Sequence, residues 1–221
     1  MLITAHIARA SYSVAREIDS VWVTALHWDA RSGRTIGFIE GIKGDLPELK
    51  FLIESCSRFL GHPLMVPEII LHMVTTSLNE GARIPREEDF YPQERLTGLS
   101  YLPYFSEISH NEIWKWDFKN FQQATAIANK SYNTMAFLKR RFRFNAEYAQ
   151  KMLEVLNELQ GSRYTNMEIE KLIKNDNEWK QRLSDRIYQS ETYEHQNQCV
   201  QERIQNLNTV VSIQYPFVEH Y

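Results

Sequence analysis

IEKLIKNDNEWKQRLSDRIYQSETYEHQNQCVQERIQNLNTVV, residues 169–211, carries the longest periodic pattern in the chain. Steps of three and four pass through Ile169, Leu172, Asp176, Trp179, Leu183, Arg186, Ser190, Tyr193, Asn197, Val200, Ile204, Leu207 and Val211. Residues at that spacing share one face of an α-helix, so the stretch predicts a single very long helix. Asp176, Arg186, Ser190 and Asn197 put polar groups into the stripe, which weakens it as an autonomous zipper. Its final part is uninterrupted, and Val200, Ile204, Leu207 and Val211 form a candidate helix-interaction stripe. Thr165 and Glu168 form a capping box that predicts the start, and Pro216 predicts the stop.

The preceding segment repeats the pattern. Asp117 is a predicted N-cap, followed by Phe118, Phe121, Ile127 or Ala128, Met135, Leu138 and Phe142 at helical spacing. The pattern continues through Met152, Val155, Leu156 and Leu159 to Gly161. Within it, LKRRFRF is the only basic cluster: Lys139, Arg140, Arg141 and Arg143. A charged helix face covering Phe142 and Phe144 explains that cluster without a nucleic-acid ligand.

Further upstream the period shortens. Val21, Trp22, Val23, Thr24 and Trp28 are strand formers, and Ile36, Phe38, Ile39 and Ile42 supply a second run. The turn chemistry of Asp29–Gly33 between them predicts a hairpin near residues 21–42. LPELKFLIESCSRFL, residues 46–60, returns to helical spacing and ends before Gly61. A second helix, mostly apolar, is predicted over Leu64–Leu78, with Pro67 early enough to be harmless. Residues 81–116, punctuated by Pro85, Pro92 and Pro103, predict only short strands or loops. The fold class expected is therefore α+β and predominantly helical. A small α/β part at 1–116 precedes a long helical hairpin or stalk at 117–212, and 213–221 form a tail.

Composition narrows the function. Of 221 residues, 43% are apolar and 24% charged, and the formal charge of −3 supplies no general attraction to nucleic acid or anionic membranes. Cys56 and Cys199 are too far apart for a CxxC motif, which leaves reduced thiols in a cytoplasmic setting as the expectation. MLITAHIARASYSVARE has no basic start followed by an apolar block, so no secretory signal is expected. VPEIILHMVTTSL, the best apolar stretch, contains Glu68 and His72 and falls short of the roughly 20 residues of a membrane span. Gly37, Gly41 and Gly44 match neither a P-loop nor GxGxxG, and no GxSxG or HExxH occurs. His62 and His72 are too isolated for a metal pair. Glu87, Glu88 and Asp89 form a solvated face, and Tyr91, Tyr101, Tyr104, Phe105, Trp114 and Trp116 read as aromatic packing, because between Tyr101 and Trp116 only Lys115 is basic, too few for a base-stacking platform. The expectation is no enzyme, no catalytic or metal-ligating residues, and no nucleic-acid partner.

Three segments carry a resemblance. GHPLMVPEII resembles the His-Pro-apolar-apolar-Pro helix start of fungal CorA-like divalent-cation transporters. ERLTG resembles their Glu-x-x-Thr-Gly element before the long helices. SETYEHQNQCVQERIQNLNTVVSIQ resembles their stalk helix. The resemblance covers residues 46–214 and implies a cytosolic domain with long C-terminal helices. The family's two transmembrane helices and Gly-Met-Asn loop are absent from these residues, so no ion-pathway residue carries over. Mg2+ enters as a cofactor only through the resemblance. The expectation is a non-catalytic soluble CorA-like cytosolic domain, a truncated relative of the transporter without transport activity. It would self-associate through helices or pair with a membrane-bound relative, and only such pairing would bring it to a membrane. The alternative is a helical interaction or regulatory module unrelated to transport, its last helices folded back as an antiparallel hairpin.

Overall fold

The computed structural model describes residues 2–6, 22–29, 32, 34–41, 45–56, 59, 61–96, 118–161 and 176–218. Three strands, β1 (Leu2–His6), β2 (Val23–Asp29) and β3 (Arg34–Glu40), form an antiparallel sheet in the order β1-β2-β3. Five α-helices follow among the described residues: α1 (Leu46–Ser55), α2 (Met65–Arg83), α3 (Tyr91–Leu96), α4 (Phe118–Gly161) and α5 (Asp176–Val218). The protein is α+β and predominantly helical, as its periodicities predict. Two compact units emerge: Met1–Leu78 with Arg143–Glu191, and Asn79–Phe142 with Thr192–Tyr221. Helices α2, α4 and α5 contribute residues to both.

In the first unit, alternation along β2 buries Thr24, Leu26 and Trp28 and leaves Ala25 and His27 exposed. Trp28 packs on Leu159 and Val155 of α4, which gives the sheet its core contact. The glycines belong to this packing. A Cβ on Gly37 would lie 2.3 Å from the Ala25 carbonyl oxygen and 2.5 Å from Leu26 Cδ2, while one on Gly41 would lie 2.3 Å from the Trp22 ring. The hairpin is where its strand formers place it, and β1 is an addition to it. The short run Ile3-Thr4 is a weak strand signal without β2 beside it.

Two expectations about helix limits are corrected. Residues 84–96 are helical, not strand or loop: α2 passes directly into a π-helical segment, Ile84–Phe90, and then into α3. Pro85 has no N–H to donate, and a helix meets such a residue by widening as well as by stopping. The Tyr91 N–H accordingly reaches back five residues to the Arg86 carbonyl. The last helix also continues past Pro216 to Val218, where a stop and a separate tail were expected. A proline removes one hydrogen bond and can leave the helix to continue around it. Gly61 does mark a break, at φ 94°, in the left-handed region that glycine adopts readily. The expected capping box at Thr165 and Glu168, with Ile169 and Leu172, lies outside the described residues.

The long helices share a pattern stricter than the apolar residues suggested. On α4 the inward positions are Ala124, Ala128, Ser131, Met135, Leu138, Phe142, Asn145, Ala149, Met152, Leu156 and Leu159, all buried. Four- and three-residue steps alternate without interruption, the spacing of a coiled-coil seam. On α5 the buried or half-buried line is Trp179, Leu183, Arg186, Ser190, Tyr193, Asn197, Val200, Ile204 and Leu207. In the second unit the two helices run antiparallel. Phe142 lies 5.1 Å from Tyr193 between ring centroids, Gln205 Nε2 donates to Tyr132 Oη at 3.2 Å, and Asn208 Nδ2 donates to Asn129 Oδ1 at 3.1 Å.

Truncating this seam should be costly. Ile204→Ser and Leu207→Ser are each expected to lower the unfolding free energy by about 2–5 kcal/mol, whereas Asn206→Ser on the exposed face should change it by less than about 0.5 kcal/mol. Urea denaturation of the three variants reads the difference.

Candidate functional site

The described residue most in need of explanation is Glu68, an acidic side chain 2% exposed in the apolar first turns of α2. A buried carboxylate requires charge partners, because its desolvation is otherwise prohibitive. α5 supplies two. Arg186 Nε donates to Glu68 Oε1 at 3.0 Å, and Arg182 Nη1 lies 3.6 Å from Oε2. Both arginines are placed in turn: Arg186 Nη1 donates to Gln189 Oε1 at 3.2 Å, and Arg182 Nε lies 3.6 Å from Glu178 Oε1.

Aromatic rings wall this cluster. The Arg182 guanidinium lies 4.9 Å from the Phe59 ring centroid and 5.7 Å from that of Trp179. Trp179 stacks on His62 at 4.5 Å and meets Phe59 edge-on at 5.0 Å. His62 is held by its local turn, where Nδ1 accepts from the Leu64 N–H at 3.2 Å just before α2 begins. One helical turn beyond Glu68, His72 has its pKa held below the usual 6.5, first by burial and then by the positive charge of Arg186. At neutral pH the imidazole is therefore uncharged beside the two guanidinium groups. Deeper along α2, Asn145 of α4 donates to Thr75 Oγ1 at 3.1 Å, and Thr75 donates to the Leu71 carbonyl at 2.8 Å. The polar line thus ties α2 to both long helices within this unit.

The second unit repeats the device. Glu94 of α3, also buried, receives two hydrogen bonds from Arg203 of α5, one of them Nε to Oε1 at 2.7 Å. The bonded carboxylate holds the Arg203 guanidinium above its usual pKa. The Phe90 and Tyr91 rings flank that guanidinium at 5.7 and 5.1 Å. Nearby, Lys130 of α4 reaches Asp89 at 3.1 Å, and Arg83 stands among Glu80, Glu87 and Glu88. The Glu87-Glu88-Asp89 run is thus a surface engaged by basic side chains.

These arrangements position elements. Each carboxylate is already committed to guanidinium groups, so neither is available as a base or a cation ligand in this state. Among the described residues no three His, Cys, Asp or Glu side chains come together to hold a metal ion. Cys56 and Cys199 are free thiols, and no described helix is long and apolar enough to cross a membrane. The basic run stays on α4: Arg141 lies over the Phe137 ring at 5.6 Å, Phe142 is fully buried, and Phe144 stacks with Tyr148. Burial raises the Tyr148 phenol to about 12. Of the candidate stripe, Val200, Ile204 and Leu207 are buried within the chain, and the side chain of Val211 lies outside the described set.

Sequence reasoning missed the pairing of Glu68 with Arg186. The signal was present as an acid in an apolar helix and a base in an apolar seam, each anomalous alone and complementary together. No protein-family model, curated protein or solved structure matches the chain.

A double-mutant cycle tests the pair. Glu68→Met strands two guanidinium groups and should cost about 3–5 kcal/mol. Adding Arg186→Met should recover most of that loss, since Arg182 is exposed enough to reach water. Urea denaturation of wild type, both single variants and the double variant gives the coupling, and additive losses would contradict it.

Proposed function

We propose that the chain is a non-catalytic helical scaffold, an interaction or regulatory module built from two long helices and a small sheet. One observation carries this: the apolar end of α5 is consumed internally. Ile204 and Leu207 are fully buried, and the residues beside them bond to Tyr132 and Asn129 of α4. A free stalk would leave that stripe for another chain.

The narrower reading is a CorA-like cytosolic domain with no transport activity of its own, residing in the cytoplasm unless paired with a membrane-bound relative. It is supported by the order of elements, a small sheet before very long helices. It is also supported by the position of the resembling segments, because GHPLMVPEII supplies Glu68, ERLTG supplies Glu94, and the stalk-like segment supplies Arg203. Nucleic acid is not proposed as a partner, given the net charge of −3.

The readings separate by experiment. A self-contained scaffold should keep its melting temperature within about 1 °C when millimolar Mg2+ is added, since only ligand binding to the folded state raises it. It should also stay behind when a CorA-like transporter is purified from detergent-solubilised membranes. Co-purification with that transporter, or a rise of several degrees with Mg2+, would favour the CorA-like reading over the scaffold.

A further inference from the structure

The outer face of the sheet has no cover among the described residues. Among the described residues β3 is an edge strand, hydrogen-bonded to β2 on one side only in the sheet order β1-β2-β3. It carries two of the most exposed large apolar side chains, Ile36 at 68% and Phe38 at 59%. Arg34 and Glu40, at its two ends, are exposed on the same alternate positions. The open face of the strand therefore reads Arg-Ile-Phe-Glu. Soluble proteins protect such edges with proline, lysine, bulges or inward charges, and β3 has none of these within its seven residues.

The order of those side chains specifies what fits. A second β3 laid antiparallel about a two-fold axis through Gly37 places Arg34 opposite Glu40 of the other copy, and Glu40 opposite its Arg34. Ile36 then faces Phe38, again twice. Moving the axis by one residue destroys this match: centred on Ile36 it sets Arg34 against Phe38, and centred on Phe38 it sets Ile36 against Glu40. Opposite charges and apolar pairs directly across an antiparallel ladder are the stabilising cross-strand combinations. A strand complementary to itself at a single register meets the requirement of an isologous interface.

We propose that two copies of this chain associate through β3, joining their sheets edge to edge in the register centred on Gly37. The occupant of the edge is a second copy and no other protein, because the charge pattern is satisfied by the same sequence reversed. A single strand pair buries less than a standard interface, so the dimer is weak and forms with rising concentration. This proposal does not depend on the transporter-like reading, and it uses a surface distinct from the α5 stripe.

Charge reversal tests it with its own folding control. Arg34→Glu sets acid against acid at both ends of the paired strands, and Glu40→Arg sets base against base. Each variant alone should be monomeric at concentrations where the wild type dimerises, with dissociation constants raised at least tenfold. An equimolar mixture of the two variants should dimerise again. There the glutamate introduced in the first variant faces the arginine introduced in the second, and the remaining pair is native. Sedimentation velocity over a concentration series reads all four samples, and circular dichroism confirms that each variant is folded. Three results would overturn the proposal: a wild type that stays monomeric to about 1 mM, single variants that associate like the wild type, or folded variants whose mixture remains monomeric.

Discussion

A helix of 44 or 43 residues can keep one face buried only if every side chain on that face is apolar, small or paired. That constraint organises this chain. On α4 the seam meets it with Ala124, Ala128 and Ala149 as small residues and Met135, Leu138, Phe142, Met152 and Leu156 as filling ones. Where polar groups enter, the surrounding structure answers them. Asn145 requires Thr75, Arg186 requires Glu68, and Asn197 donates to the Tyr193 carbonyl at 2.9 Å on its own helix. Ser131 and Ser190 are buried with no hydroxyl partner among the described residues, a cost their small size keeps modest.

The polar insertions explain why α2 has the composition it does. An apolar helix would satisfy burial alone, yet α2 carries Glu68, His72 and Thr75 toward the long helices. Buried ion pairs add little net stability compared with apolar packing. Their clearest use is to fix register, since a helix displaced by one turn would strand a charge in the core. The Glu94–Arg203 pair does the same work between α3 and α5 in the second unit. Within each unit, one buried carboxylate thus holds a shorter helix to the part of α5 in that unit.

How far the sequence revealed this depends on the kind of residue. Large apolar positions on α4 announced themselves by spacing, as did the strand formers of β2 and β3 and the buried Trp22 and Trp28. The seam of α5 was traced position by position, but Arg186 read as an interruption, because its partner Glu68 lies 118 residues away in the sequence. Small and polar seam positions on α4, such as Ala124, Ser131 and Asn145, give no hydropathy signal. Helix limits at Pro85 and Pro216 were misjudged because proline forbids one hydrogen bond, not a helix. The self-complementary order of β3 was written in the sequence, but only the sheet topology makes it an edge.

Within the second unit, α4 and α5 pair antiparallel in one register inside a single chain. With Cys56 and Cys199 replaced by serine, cysteines at positions 132 and 205 can be joined by a short bis-maleimide. Rapid cross-linking within monomers is expected for Tyr132→Cys with Gln205→Cys. None is expected for Tyr132→Cys with Glu191→Cys, which lies roughly 21 Å away from position 205 along the same helix. Equal cross-linking of the two pairs, or products found only between chains, would contradict it.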